Sequence, residues 1–236
     1  AKAHTKIRTS VGQVKLSWSL IRLLFVEVLK RNKAVYRVLM NYTLSGIEIT
    51  GNGIELGSGP ASGSYRRFFR EILPVNITYV DYFSNGQNVL RLDLESPLKL
   101  ESNLYDFILC FNTLEHIYNY GNVVSESYRI LKPGGLFIGS TPFAYRYHAD
   151  PYDYFRFSHD AIERMFEAVG YNNGWVTGLS IGPFTLSLVQ FEGLIPRIIR
   201  LLLSLISMLL DLMFKWVSKT GTSDYIMGYV YVFRKA

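Results

Sequence analysis

Apolar and polar positions change period several times along the chain, and each change marks an element. Between residues 14 and 40 the apolar positions recur at helical spacing. Leu16, Leu20, Leu23, Leu24 and Val28 form one stripe, and Val35, Val38 and Leu39 continue it beyond Asn32, which predicts one or two helices. Residues 53–57, with a short extended piece at 47–50 before them, predict a first strand running into glycines at 57, 59 and 63. Tyr65, Phe68, Phe69 and Leu73 fall near helical spacing and predict a helix over 64–73. Strands are predicted at 77–80, 89–92 and 105–111, with a turn at Asn85-Gly86. The run 105–111 is apolar except for Asp106, as suits a parallel strand covered on both faces.

A helix over 122–131 should stop at Lys132-Pro133-Gly134-Gly135, and a strand follows at 136–140. The next helix opens near Ser158 or Asp160, with Asp160 and Glu163 in a capping-box pattern, and ends at Gly170. Strands at 175–181 and 225–233 complete the series. Alternating strands and helices argue for an α/β sheet of mostly parallel strands. Two parts are expected: a basic helical arm over 1–45, and a main domain over 46–236 with an apolar helical insertion at 191–217.

The apolar core of that insertion, 201–210, is about half the ~20 residues a membrane-spanning helix needs. Extending it takes in Arg197, Arg200, Asp211 and Lys215, which makes spanning costly. A buried or dimer-forming helix and an interfacial helix both fit. Charge bears on the choice. Of the net +6, residues 1–40 carry nine Lys/Arg against Glu27 alone, leaving 16 basic and 18 acidic residues in the body. The arm therefore suits an anionic surface, either as a cap with exposed cations or as a membrane-binding helix. No nucleic-acid-binding motif is present, so nucleic acid is not an expected partner. The stretch 20–29 is interrupted by Arg22 and Glu27 and does not read as a signal peptide, and the single cysteine, Cys110, excludes a disulfide framework. A cytoplasmic location, possible peripheral contact with the inner membrane face through 14–40 and 194–217, and a possible homodimer are the expectations.

Candidate chemistry gathers at the ends of the first three strands, where Glu55, Asp81 and Asp93 stand. Ligands of open α/β sheets bind at the carboxyl ends of strands, and Asp81 lies near the offset at which an acid meets ribose hydroxyls. Together with Glu55-Leu56-Gly57-Ser58-Gly59, the segments Leu92-Asp93-Leu94, Asn112-Thr113-Leu114-Glu115-His116-Ile117 and Arg129 to Gly135 resemble class I S-adenosylmethionine-dependent methyltransferases over about residues 50–180. The resemblance implies a Rossmann-like, mostly parallel seven-stranded sheet with an antiparallel last strand and helices on both faces. It implies that Glu55, Gly57 and Gly59 line the methionine end of S-adenosylmethionine. Asp81 would hold the ribose, Tyr82 would lie beside the adenine, and Asp93 with the Leu94 backbone would meet the adenine amino group. Asn112 would sit under the sulfonium, with Leu114 nearby. Pro60 and Ala61 depart from the commonest form of the loop.

Methyl transfer needs a base only where the acceptor is protonated, and His116 and His148 are the catalytic candidates, the former also readable as a structural hydrogen-bonding group. Residues 143–157 hold seven aromatics with Arg, His and Asp among them and suit a sugar or planar acceptor, or simple loop packing. Glu115, His116 and His148 resemble part of a metal-dependent methyltransferase set, but Asn112 stands where a further carboxylate is expected, and no metal is predicted. The stretch Asp150 to Ser158 resembles methyltransferases of bacterial surface-polysaccharide synthesis. The expected function is O-methylation of a sugar or lipid-linked glycan. A small aromatic or quinone-like acceptor, and a non-catalytic cofactor-binding protein at a membrane or partner surface, are the alternatives.

Overall fold

A computed structural model describes residues 12–59, 63–84, 86, 88–217 and 224–236. The polar stretch 1–10, Pro60, Ala61 and Asn85 lie outside the described residues. The arm forms α1 (Trp18–Phe25), continued by a π-turn at Val26–Lys30, and α2 (Val35–Leu44). Asn32 separates them in a left-handed conformation, φ 52°. The strands are β1 (Gly12–Gln13), β2 (Glu48–Leu56), β3 (Arg70–Asp81), β4 (Val89–Arg91), β5 (Tyr105–Phe111), β6 (Leu131–Pro142), β7 (Tyr171–Leu179) and β8 (Gly228–Lys235). Between them lie α3 (Tyr120–Ile130), α4 (His159–Val169), α5 (Pro183–Phe191) and α6 (Arg197–Val217). The sheet order is β1-β7-β8-β6-β5-β2-β3-β4. Seven strands form its body, mostly parallel, with β8 antiparallel to both neighbours and the two-residue β1 extending one edge.

The period-two alternation of β5 divides the core. Phe107, Leu109 and Phe111 join the layer built with α1 and α2, while Ile108 and Cys110 face the layer built with α3 and α4. Val230 and Val232 against Tyr229, Tyr231 and Phe233 repeat the division on β8. Helices thus cover both faces, as expected of a buried parallel sheet.

One expected element is absent. The helix over 64–73 is replaced by a single 3-10 turn at Arg66–Phe68, and β3 begins at Arg70 rather than at 77. Pairing with β2 takes the second half of that stretch into the sheet, and what is left is short. Leu56 pairs with Val80 and Glu48 with Arg70, so the chain leaving β2 must return over the strand's full length, about 26 Å at ~3.3 Å per residue. Thirteen connecting residues at ~1.5 Å each fall short of that as an α-helix. Tyr65 and Phe69 still plug into the α1–α2 core, whereas Leu73 lies exposed on the strand.

Other boundaries shift by a few residues. Lys132 to Gly135 ends α3 as expected but already belongs to β6, and β7 and β8 are offset from 175–181 and 225–233. Ser158 caps α4, its Oγ accepting from Ala161 N at 3.3 Å, so the Asp160–Glu163 box is not what starts it. Gly170, at φ 111°, ends that helix. The insertion starts with α5, upstream of 191.

Candidate functional site

The carboxyl ends of β2, β3 and β5 lie side by side, and the loops leaving them enclose a cleft of about 760 Å³. Gly57, at φ 71°, follows β2, and its N–H and that of Ser58 both donate to Val80 O at 2.8 and 3.0 Å. A Cβ at Gly57 would stand 2.4 Å from Thr113 Oγ1, so only glycine fits between the loop and β5. Gly59, at φ 66°, differs: a Cβ there would meet nothing within 4 Å among the described residues, and the glycine lines the cleft.

Asp81 ends β3 on the cleft wall. Its Oδ2 accepts from Gly59 N at 2.9 Å, and its Oδ1 accepts from Phe83 N at 2.9 Å and Ser84 N at 2.8 Å. The residue therefore starts a turn and ties the glycine loop to β3 at once. About four lone-pair sites belong to a carboxylate, so acceptor capacity remains for a ligand. Tyr82 beside it is largely exposed, with the Arg91 guanidinium 5.3 Å above its ring. Asp93 and Leu94 line the same wall, Asp93 accepting from Glu95 N and Ser96 Oγ, each at 2.9 Å. Asn112, just after β5, takes φ 50°, and its Oδ1 accepts from Ser140 Oγ at 2.9 Å and Tyr36 OH at 3.0 Å.

Of the predicted residues, Gly57, Gly59, Asp81 and Tyr82 share this wall with Asp93, Leu94, Asn112 and His116. Glu55, Leu114 and His148 do not. Glu55 is buried behind the glycine loop, where it accepts from the Tyr65 hydroxyl. Burial lifts its carboxyl to about 7 against that hydrogen bond. Leu114 is wholly enclosed in the α3–α4 layer, so it packs the site from beneath rather than facing it.

His148 lies behind His116, the rings edge to face with centroids 5.0 Å apart. Its Nε2 is 3.7 Å from Glu115 Oε1, and His116 Nε2 is 3.9 Å from the same oxygen. The nearby Glu115 carboxylate raises the His148 imidazole above its ordinary value, against the effect of burial. The aromatic segment folds over this group, with Tyr154 N and Phe155 N donating to Glu115 O at 2.8 and 3.2 Å. Arg156 pairs with Asp153 and holds that carboxyl down at about 2. Asp150, Pro151, Tyr152 and Tyr154 of the segment form the outer wall.

Sequence reasoning missed Tyr36, Tyr65 and Thr113. The first lies in the arm, with no local signal of a site. Thr113 could have been suspected from its place between Asn112 and Leu114.

A profile of the methyltransferase domain family matches residues 30–174, and the chain belongs to that family. Its fold is that of the S-adenosylmethionine-dependent methyltransferases. One such enzyme from Thermotoga maritima superposes with a TM-score of 0.55 at 18% identity, over 93% of this chain and 100% of that one. Another, from Archaeoglobus fulgidus, gives 0.52 at 15% identity, over 91% and 99%. A Mycolicibacterium smegmatis protein named as a probable S-adenosylmethionine-dependent methyltransferase is 40% identical over 47 residues, which is 20% of this chain and 18% of that relative's length. Family and fold define the class, that of the S-adenosylmethionine-dependent methyltransferase domains. The cofactor fits what is seen: a glycine whose missing Cβ leaves the cleft open, an acid with acceptor capacity left, and an exposed aromatic face next to it.

Proposed function

We propose that the protein transfers the methyl group of S-adenosylmethionine to a hydroxyl of a sugar on a lipid-linked glycan, working against the inner face of a membrane. The outward face of α6 carries this reading. Ile198, Leu202, Ile206, Leu209, Met213 and Trp216 are exposed, while Arg200, Ser204 and Asp211 turn inward. A helix that buries Arg200 and Asp211, keeps Arg197 and Lys215 exposed near its ends and presents an apolar side suits an interface. It packs on the π-turn of the arm, where Lys30 is exposed and Arg31, also exposed, pairs with Glu27. No helix among the described residues is long and apolar enough to cross a membrane. Gln190 of α5 donates to Ala144 O at 2.8 Å, which ties the insertion to the acceptor side of the cleft.

In this reading Gly57 and Gly59 take the methionine end, Asp81 the ribose, and Tyr82, Asp93 and Leu94 the adenine. Asn112 lies beneath the sulfonium, and Glu55 and Leu114 support the loops from behind. The acceptor oxygen forms its bond to the methyl carbon as the carbon–sulfur bond breaks, with the electron pair going to sulfur. Positioning supplies most of the acceleration, since the methyl is already activated. His116 is the imidazole on the wall for the hydroxyl proton, with His148 behind it. Tyr152 and Tyr154 offer the faces on which a sugar ring stacks.

Incubating lipid and glycan extracts with methyl-labelled cofactor, followed by mass spectrometry, tests the acceptor, and label on a free aromatic or quinone would replace the glycan. Flotation with anionic vesicles tests the location. Recovery of a dimer in solution and none with lipid would assign the α6 face to a second copy.

A further inference from the structure

Glu115 has no exposed surface, and among the described residues neither of its oxygens has a hydrogen-bond partner. A carboxylate in that state is costly unless a positive charge lies beside it. What lies beside it is two imidazoles. His116 Nδ1 is hydrogen-bonded to Tyr152 O. His148 Nδ1 is 3.1 Å from Arg146 O and 3.3 Å from Asp153 Oδ2, with Arg156 Nη2 at 3.4 Å. A carbonyl oxygen only accepts, so a proton on Nδ1 suits His116, and it suits His148 at Arg146 O and Asp153 Oδ2 though not at Arg156 Nη2. Both Nε2 lone pairs are then left to face Glu115 Oε1, and one ligand atom from each of the three residues lies within 4.8 Å of the other two. A proton on one ring would satisfy one contact. A divalent ion among them would satisfy all three.

We propose that Glu115, His116 and His148 form a binding site for a divalent transition-metal ion. Two imidazoles and one carboxylate are a zinc-type set that leaves a coordination position open, and they suit manganese, iron or cobalt as well. The backbone carbonyls on the two Nδ1 atoms are the outer support that such ligands need to hold their tautomer. His116 also stands on the cleft wall, so the set lies beside the cleft. The ion would occupy the His116 lone pair, so that His116 holds the ion rather than taking a proton. The ion would also clamp the turn at Leu114–His116 to the aromatic segment.

The test is titration of chelator-treated full-length protein with Zn²⁺ and, separately, Co²⁺, read by calorimetry and by the visible bands of cobalt. One equivalent binding at micromolar or lower concentration is expected, with a rise in Tm. Glu115→Gln and His148→Ala should each weaken binding about 100-fold while leaving S-adenosylhomocysteine affinity within about threefold. His148 is partly exposed, so its variant keeps the test sound if Glu115→Gln does not fold. Absence of stoichiometric binding in protein that binds S-adenosylhomocysteine, or equal binding in wild type and His148→Ala, would overturn the site. Either result leaves the methyltransferase reading intact.

Discussion

The Tyr36 hydroxyl, on α2 of the N-terminal arm, donates to Asn112 Oδ1 at the carboxyl end of β5. Asn112 is held in a left-handed conformation, and Ser140 Oγ makes the other bond to the same oxygen. Burial keeps the phenol far above its usual range, so it remains a donor at any working pH. The arm therefore braces a residue of the cleft wall from behind.

Tyr36→Phe removes that donor while keeping the ring. Urea unfolding should show a loss of about 1 kcal/mol. Calorimetry should show S-adenosylhomocysteine binding weakened severalfold, because Asn112 then depends on Ser140 alone. Unchanged affinity would mean that the arm does not position the site.

The two glycines of the loop predict different failures. Gly57→Ala meets both the positive φ and the Thr113 side chain, so stability should fall by about 2–3 kcal/mol and binding with it. Gly59→Ala has room for its Cβ among the described residues and costs about 1 kcal/mol for conformation, but it adds a methyl to a residue that lines the cleft. Thermal unfolding and cofactor titration together should find Gly59→Ala folded yet at least tenfold weaker in binding. Tight binding by that variant would remove Gly59 from the contact surface.

Much of this was legible along the chain because it depends on local chemistry. Gly57, Gly59, Asp81 and Asp93 announce themselves by residue type at strand ends, and the apolar run 105–111 gives β5 without reference to anything else. The predicted helix over 64–73 failed because its spacing was real while the distance back to Glu48 is a property of the pairing with β3. Tyr36 with Asn112, and Glu115 with His148, are meetings of distant segments that no local period encodes. Glu55 was placed on the right strand but not behind the loop, since the Tyr65 partner that draws it inward lies ten residues on.

Stability should depend on pH through two buried carboxyls. Burial lifts both Glu55 and Glu192 from 4.5 to about 7, so the folded state binds more protons than the unfolded chain between those values. Their stabilising contribution is complete below about 4.5 and is lost as pH rises through about 7, beyond which it is flat. At roughly 1.4 kcal/mol per unit, each contributes on the order of a few kcal/mol. Urea unfolding at pH 5 and pH 8 should show less of this decline in Glu55→Gln. An identical pH profile would show that the Glu55 carboxyl titrates alike in the folded and unfolded chain and is not raised by burial.

The two faces of α6 should respond oppositely to substitution. Asp211 is buried beneath the start of α5, where its carboxylate accepts from Phe184 N at 2.8 Å and Thr185 N at 3.0 Å, and from the Thr185 hydroxyl. It caps that helix from another element, and Asp211→Ala should cost about 2 kcal/mol or more by leaving those donors unpaired. Ile206 and Leu209, on the outward face, contribute little to the fold of the isolated chain. Ile206→Asp with Leu209→Asp should leave Tm within about 2 °C, since surface changes away from special features fall within about 0.5 kcal/mol. Recovery with anionic vesicles should drop severalfold in the same double variant, because apolar area is replaced by charge of the wrong sign. Recovery equal to wild type would take α6 out of the membrane reading and leave the basic arm to account for any binding.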